Sequence, residues 1–527
     1  MTTHPAETLP EDALAVDPEG IYAMLGRLDR PCHVISGPSG TGLATRLPGP
    51  GERLLAAAGP VLPETLGSHA FRRAHGVRHA YMAGAMAAGI ASEDLVIALA
   101  RAGFMSSFGA GGLRPERVQQ AVARLETELG GLGYAVNLLH SPNEPANEQA
   151  VVDLCLAHRV RCLEASAFLG LTPALVRYRV AGLVRDGAGR VSATNRVIAK
   201  ISRPEVARHF LLPPPESMLA DLVAAGVVSS EQAELARGVP MADDITVEGD
   251  SGGHTDRQQL MTMFPIIRDL RDTVHHERPE LAEVRLGAAG GIGTPEAVLA
   301  ALVLGADYVV TGSVNQSCVE AATSERTRRL LATVDPTDVD MAPSADMFEY
   351  GAQVQVVKRG SMFAVRARRL YDLYQRLGGL EELSPAEREW LEGQVLRRPV
   401  EDVWAETVAF FQQRDPSQIE RALNEPKRRM ALVFRWYLGL SSRWAVLGDP
   451  DRATDQQIWC GPAMGGFNAW VKDSYLAAPD NRSVTDVALH LLRGAAFGAR
   501  VNQLRMAGVE LPARSARYRP MPLEMTS

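Results

Sequence analysis

Eight short apolar runs, alternating with helical segments between Leu66 and Gln316, predict a (β/α)8 barrel. The runs are almost continuously apolar, as parallel strands buried on both faces must be. The segments between them repeat apolar residues at helical spacing, and several open on Ser, Pro, Asp or Glu, the residues that start helices. A doubly wound sheet is the other architecture with this alternation.

The chain begins with an extension, residues 1–66, dense in Pro and Gly between Pro31 and Pro63, in which HVISG from His33 suits a strand. GPSGTGLAT from Gly37 has the glycine spacing of a phosphate loop. It carries Leu43-Ala44 where that loop needs Lys and Ser or Thr, so a turn is expected. The barrel is predicted over 67–322. Its strands are HAYMAGAM from His79, FMSSF from Phe104, AVNLL from Ala135 and CLEAS from Cys162. They continue with VIAKIS from Val197, ITVEG from Ile245, VRLGAAGG from Val284 and YVVTGS from Tyr308. Between the fifth and sixth, the stretch from Pro213 adds a helical insertion at about 213–240. Residues 323–527 hold long helical stretches with no repeat period, which predicts an all-helical C-terminal module.

Composition bounds the function. With 527 residues, 46% hydrophobic and 22% charged, this is an ordinary globular chain and not a collagenous or disordered one. The charge balance, 55 − 62 = −7, argues against a nucleic-acid footprint. No run of roughly eighteen apolar residues predicts a membrane span. The acidic, polar start lacks the features of a secretory signal. Five cysteines form no CxxC pair, so a reduced, cytoplasmic protein without disulfides or a metal site is expected.

The segment Gly287 to Ser313 carries the clearest chemistry. A strand delivers Gly290, Gly291 and Gly293, a helix starts at Thr294-Pro295, and the next strand ends in Thr311-Gly312-Ser313. In a barrel, the loops after strands seven and eight build a phosphate site from backbone N–H groups and a helix start. Glycine there lets the backbone approach phosphate oxygens. At the end of strand six, EGDSGGHTD presents His254, an acid, base or hydrogen-bond donor near neutral pH. Strand ends one, three and five bring Ala85 and Met86, Asn137, and Lys200. An Asn amide can pair with a flat heterocycle through its donor and its acceptor. Lys200 suits the stabilisation of negative charge on a reduced ring. QIWCGPAMGGFNAW from Gln457 interrupts the helices and is a candidate substrate or partner surface.

The barrel resembles the flavin-dependent family that contains nitronate monooxygenases and FabK-type enoyl-acyl-carrier-protein reductases. AGAMAAGIAS, NLLHSPNEPANE, LTPALVRYRVAGL, ITVEGDSGGHTD, AAGGIGTPEA and TGSVNQ resemble its PfaD branch, as do DMFEYG, VFRWYLGLSSRW and QIWCGPAMGGFN further on. That branch supplies trans-acting enoyl reductases to polyunsaturated fatty acid and trans-acyltransferase polyketide synthases. The resemblance runs from about Gly67 to Pro512. It implies FMN on the phosphate site, NADPH as reductant, and an acyl carrier protein that presents an enoyl thioester. The family's phosphate contacts fall on Gly291, Gly293, Gly312 and Ser313, and its isoalloxazine contacts on Ala85, Met86, Asn137, Gly252 and Gly253. Its active-site His falls on His254. Thr255-Asp256 stands where the nitronate enzymes carry Arg-Gly, so only the position of His254 beside the flavin carries over. His254 or backbone N–H groups are the expected donors to an enolate oxygen.

Three rival readings share these features: a flavoenzyme that oxidises nitronates, a flavin-free aldolase or isomerase, and a non-catalytic scaffold that docks carrier proteins. The Arg-rich helix PKRRMALVFRWYLGLSSRW is a candidate basic face for an acidic carrier protein. An apolar helical module of this size also suits a homodimer.

Overall fold

The structure is a computed structural model, and it describes residues 13–523 apart from 143, 188 and 190. Eight strands close a parallel barrel: β1 (Tyr81–Ala83), β2 (Met105–Phe108), β3 (Ala135–Leu139), β4 (Cys162–Ser166), β5 (Arg196–Ile201), β6 (Asp244–Glu248), β7 (Arg285–Ala289) and β8 (Tyr308–Thr311). Each pairs with the next, and β8 returns to β1 through Val309–Tyr81 and Thr311–Ala83. Every strand coincides with its predicted run, two of them starting one residue earlier at Arg196 and Asp244, because an apolar run bounded by turn residues is encoded locally.

Side chains from five strands fill this end of the barrel: Met82, Met105, Cys162, Ile198 and Tyr308 pack with Phe71, which comes from the helix His69–His75. The rings of Phe71 and Tyr308 stack at 4.1 Å. A Cβ on Gly287 would meet the Tyr308 ring at 2.3 Å, so a glycine admits the tyrosine. Outside, the helix Pro115–Leu129 buries Val118, Ala121, Val122, Leu125 and Leu129, the three- and four-residue spacing of one face. Ser92, Thr172 and Thr294 cap their helices by accepting backbone N–H bonds.

Asp244 lies fully buried at the closed end of the barrel. It accepts from His75 Nε2 at 2.8 Å and from Arg285 Nε and a terminal guanidinium nitrogen at 2.6 and 2.8 Å. The insertion is the expected hairpin, Glu216–Ala224 and Ser230–Ala236, with a capping box between Ser229 and Gln232.

The N-terminal stretch folds as a helix, Pro18–Gly26, and an antiparallel sheet of Cys32–Gly37, Gly40–Ala44 and Arg53–Ala58. The strand at His33 is present, and GPSG is its hairpin turn. This sheet packs on the last long helix, Val484–Met506, through Phe497, Val501 and Leu504. From that helix, fully buried Arg500 donates to the carbonyls of Leu25, Arg27, Leu28, Arg30 and Gly59.

The C-terminal module departs from the all-helical expectation. Besides the helices Phe363–Arg376, Val400–Arg414 and Pro426–Leu447, it holds an antiparallel ribbon, Val339–Pro343 and Gln353–Val357. Gly253–His254 from the barrel joins that ribbon as a third, two-residue strand. Each ribbon strand has only five residues, too few for a period to register, and the pairing partner lies elsewhere in the chain. Within Pro426–Leu447, Arg428 and Arg435 turn inward to Glu349, which removes two cations from the basic face expected there. The five cysteines are buried and unpaired. Among the described residues no helix is long and apolar enough to cross a membrane.

Candidate active site

Parallel strands end at the same face, so the loops that follow them meet there. At this face the structure opens a cavity of ≈1030 Å³, whose other wall comes from the C-terminal module, from Met341 to Val354 and from Gln457 to Ala463. Ala85, Met86, Asn137, Lys200, Gly252, Gly253, His254, Gly290, Gly291, Gly312 and Ser313 all line it.

Charge collects on the floor of the cavity. Lys200 Nζ lies 3.2 Å from Glu248 Oε1, which also accepts from Ser251 Oγ at 3.0 Å. Behind the cavity lining on β4, Glu164 is 1% exposed and accepts the Ala85 N–H at 2.9 Å through Oε2; Oε1 makes no close hydrogen bond, with only the Ser107 hydroxyl acting on the carboxyl besides. Burial pushes the Glu164 carboxyl above the usual carboxylate range, against the pull of Lys200 and of the Ala85 amide. Burial also works against the charge on Lys200, but Glu248 and Glu164 outweigh it and the ammonium is held more firmly than usual.

His254 sits where barrel and ribbon join. Its Nε2 lies 3.0 Å from Asp346 Oδ1 and 3.0 Å from Ser344 Oγ. Burial disfavours the charged ring, but the Asp346 carboxylate overrides it and raises the pKa of His254. Asp346 is likewise opposed by burial, yet His254 holds it well below the usual carboxylate range. Gln355 ties the loop down by donating to Asp250 Oδ1 and Ser251 O, both at 2.7 Å. Asp256, the departure noted in the sequence, accepts from Ser202 and Arg203 at the rim.

The glycines divide into two groups. At Gly253, Gly291 and Gly312 a Cβ would meet no atom within 4 Å, and each faces open space; Gly253 and Gly291 also have positive φ, 77° and 73°. Gly290 and Gly252 line the cavity but are set by packing. A Cβ on Gly290 would lie 2.6 Å from the backbone of Gly249, and one on Gly252 2.8 Å from that of Cys460. Gly293 is buried and likewise set by packing: a Cβ there would strike the Ala463 carbonyl at 2.2 Å, so its missing side chain admits the helix Ala463–Val471. Nearby, the Gly461 N–H donates to Ser313 Oγ at 2.9 Å. A hydroxyl that accepts this bond keeps its own hydrogen to donate.

Asn137 corrects the expectation of pairing through both amide functions. Its Nδ2 donates to the Glu164 carbonyl at 3.1 Å and to Ser166 Oγ at 3.0 Å. A carbonyl only accepts, which fixes the amide orientation, so Asn137 has its Oδ1 and not both amide functions left for a ring.

Sequence reasoning missed Asp346, Ser344, Glu164 and Glu248. A Glu inside the apolar run CLEAS was a usable signal for Glu164; nothing near Asp346 ties it to a histidine 92 residues earlier. The QIWCGPAMGGFNAW segment supplies Trp459, Gly461 and Ala463 to the cavity wall.

Residues 71–345, more than half of the chain, match the nitronate monooxygenase family model. Residues 377–456 match the inserted helical domain of [acyl-carrier-protein] S-malonyltransferase. Over 447 residues, 84% of this chain, the sequence is 46% identical to a polyunsaturated fatty acid synthase subunit from Thraustochytrium sp.. Over 433 residues, 82% of this chain, it is 46% identical to polyketide biosynthesis protein PksE of Bacillus subtilis. The matches span 30% and 56% of those two relatives. Among solved structures, the enoyl reductase domain of MlnA, from the macrolactin biosynthesis cluster of Bacillus amyloliquefaciens, superposes with a TM-score of 0.80 at 35% identity. It covers 84% of this chain and 99% of that domain. The resemblance drawn from the sequence is borne out.

Proposed function

Because the chain belongs to the nitronate monooxygenase family, we propose that it is an enoyl reductase that holds FMN and draws on NADPH. Its substrates are enoyl thioesters on an acyl carrier protein of a polyketide or polyunsaturated fatty acid synthase, reduced in trans at the α,β-double bond. The observation that carries this reading is the likeness to the MlnA enoyl reductase domain across 99% of that domain.

The residues present fit the cofactor. Gly291 and Gly312 leave the space that side chains would fill, and Ser313 keeps a hydroxyl hydrogen for a phosphate oxygen. When bound, FMN supplies the hydride chemistry, which protein side chains lack. Lys200 brings positive charge to the cavity floor and favours an electron-rich ligand above it. The segment from Gln457 to Ala463 walls the cavity opposite the strand ends. His254, held at Nε2 by Asp346, faces the cavity with a proton to give to a thioester oxygen or carbon that gains negative charge.

The family model's description favours a second reading, oxidation of nitronates, whose mark is oxygen-dependent turnover of nitroalkanes. Asp346 raises the pKa of His254 against the effect of burial, which favours its role as a proton donor over that of a base and argues for the reductase. The test is the visible absorption spectrum of the purified protein, taken without oxygen. A yellow protein that NADPH bleaches and an enoyl thioester recolours is the expected result. A protein that stays colourless with added FMN overturns the reading.

A further inference from the structure

The C-terminal module reaches into the barrel site at His254, and that contact has the form of an oriented acid. His254 is anchored at both backbone and side chain. Its backbone pairs with Val354 of the ribbon, and its Nε2 meets Asp346 and Ser344, which lie on the connection between the two ribbon strands. Ser344 in turn donates to Asp346 Oδ1. With Nε2 engaged, Nδ1 has no hydrogen-bond partner among the described residues, and the side chain is 31% exposed toward the cavity.

We propose that Asp346 is the positioning residue that makes His254 the proton donor to the α-carbon of the substrate, a role that rests on the enoyl reductase reading above. Asp346 holds the ring so that Nε2–H points at the carboxylate and Nδ1–H points at the substrate. The step is a proton transfer. After hydride has reached the β-carbon, the electron pair of the former double bond rests on the α-carbon and thioester oxygen as an enolate. The Nδ1–H bond breaks, that pair forms the α-carbon–hydrogen bond, and neutral His254 regains its proton from water. Three charged groups act on the ring: Asp346 from the ribbon connection, Lys200 from β5 and Glu248 from β6. Asp346 and Glu248 favour the imidazolium, and Lys200 opposes it. The module is thereby part of the reacting site and not only a cover.

The test compares the wild-type protein with Asp346→Asn, and with Asp346→Glu as the conservative rescue. The His254 imidazole is titrated by NMR on histidine-labelled protein, its signal assigned by its loss in His254→Asn. This readout needs no turnover. Turnover of an enoyl thioester is then followed against pH in the flavin-loaded proteins. In the wild type the rate falls as pH rises through the His254 titration, because only the protonated ring donates. In Asp346→Asn the imidazole titrates at lower pH, the falling limb moves down with it, and turnover at neutral pH drops by about a hundredfold. Asp346→Glu recovers part of both, and the flavin spectrum is the same in all three. An imidazole whose titration is unmoved in Asp346→Asn overturns the proposal. A titration that moves while the pH limb of turnover stays in place removes His254 as the donor. Absence of enoyl turnover in the wild type at every pH, with the titration still moving, sinks the enzyme reading and leaves the orienting contact standing.

Discussion

At the closed end of the barrel, Asp244 accepts three hydrogen bonds from His75 and Arg285, whereas toward the open end Glu164 accepts one close hydrogen bond, from Ala85, with the Ser107 hydroxyl too distant to complete Oε1. Both carboxylates are buried. Their titration diverges accordingly. Burial opposes the charge on Asp244, but His75 and Arg285 outweigh it and its pKa falls; burial prevails at Glu164 and its pKa rises. Beside Asp244, Asp243 is filled in the same way, by Arg179 at 2.7 Å and the Val197 N–H at 3.0 Å. A buried charge is costly unless its bonds are complete, so a complete network belongs to the fold. An incomplete one persists where a ligand supplies the rest, which is why perturbed carboxyls gather at functional sites.

The sharpest way to break this comparison is Asp244→Ala, which strands Arg285 in the interior. Stability should fall by about 3–5 kcal/mol in chemical denaturation. A loss below about 1 kcal/mol would remove the closed network from the fold's foundations.

Next is Lys200→Met at the open end. Enoyl thioester reduction should fall by about 10²–10³, with a far smaller change in melting temperature than Asp244→Ala produces. Equal effects of the two variants on stability would erase the distinction between the two ends.

Acid should weaken the fold through buried histidines. Burial pushes His79, two residues before β1, from 6.5 down to about 4, and does the same to His490. The unfolded chain binds these protons first, so this stability is complete above pH 6.5 and is lost as pH falls toward about 4. Melting temperature followed from pH 6.5 downward should decline, and His79→Phe, which keeps the stack on Phe104, should lessen the slope. An unchanged slope in that variant would contradict the burial argument.

The smallest effect is expected from Glu164→Gln. The isostere keeps an acceptor for the Ala85 N–H and removes a charge that burial already opposes, so stability should change by less than about 1 kcal/mol. A drop as large as that of Asp244→Ala would show that the open end is as structural as the closed one.

The sequence was most legible where the physics is short-range. Apolar runs bounded by Gly, Ser and Asp marked all eight strands, and barrel geometry then brought Lys200, His254 and Gly312 to one cavity without further information. It was least legible where two distant backbones meet. Gly293 carries the spacing of a phosphate loop, yet the packing that demands a glycine there comes from the Ala463 carbonyl, 170 residues away in sequence. The ribbon was invisible for the same reason, since its strands are short and its third member is Gly253–His254.

Alternation of apolar runs and amphipathic helices, together with glycines at strand ends, was enough to determine the barrel, its open face and the order of the groups around it. Each of those features depends on neighbours within a few residues or on the rule that parallel strands end together. Which carboxylate orients His254, which glycines face the cavity and which amide hydrogens of Asn137 are already engaged were decided only by the tertiary structure. Hydrogen bonds and van der Waals contacts act over a few ångströms, and the partners concerned come from segments that only the folded chain brings within that range.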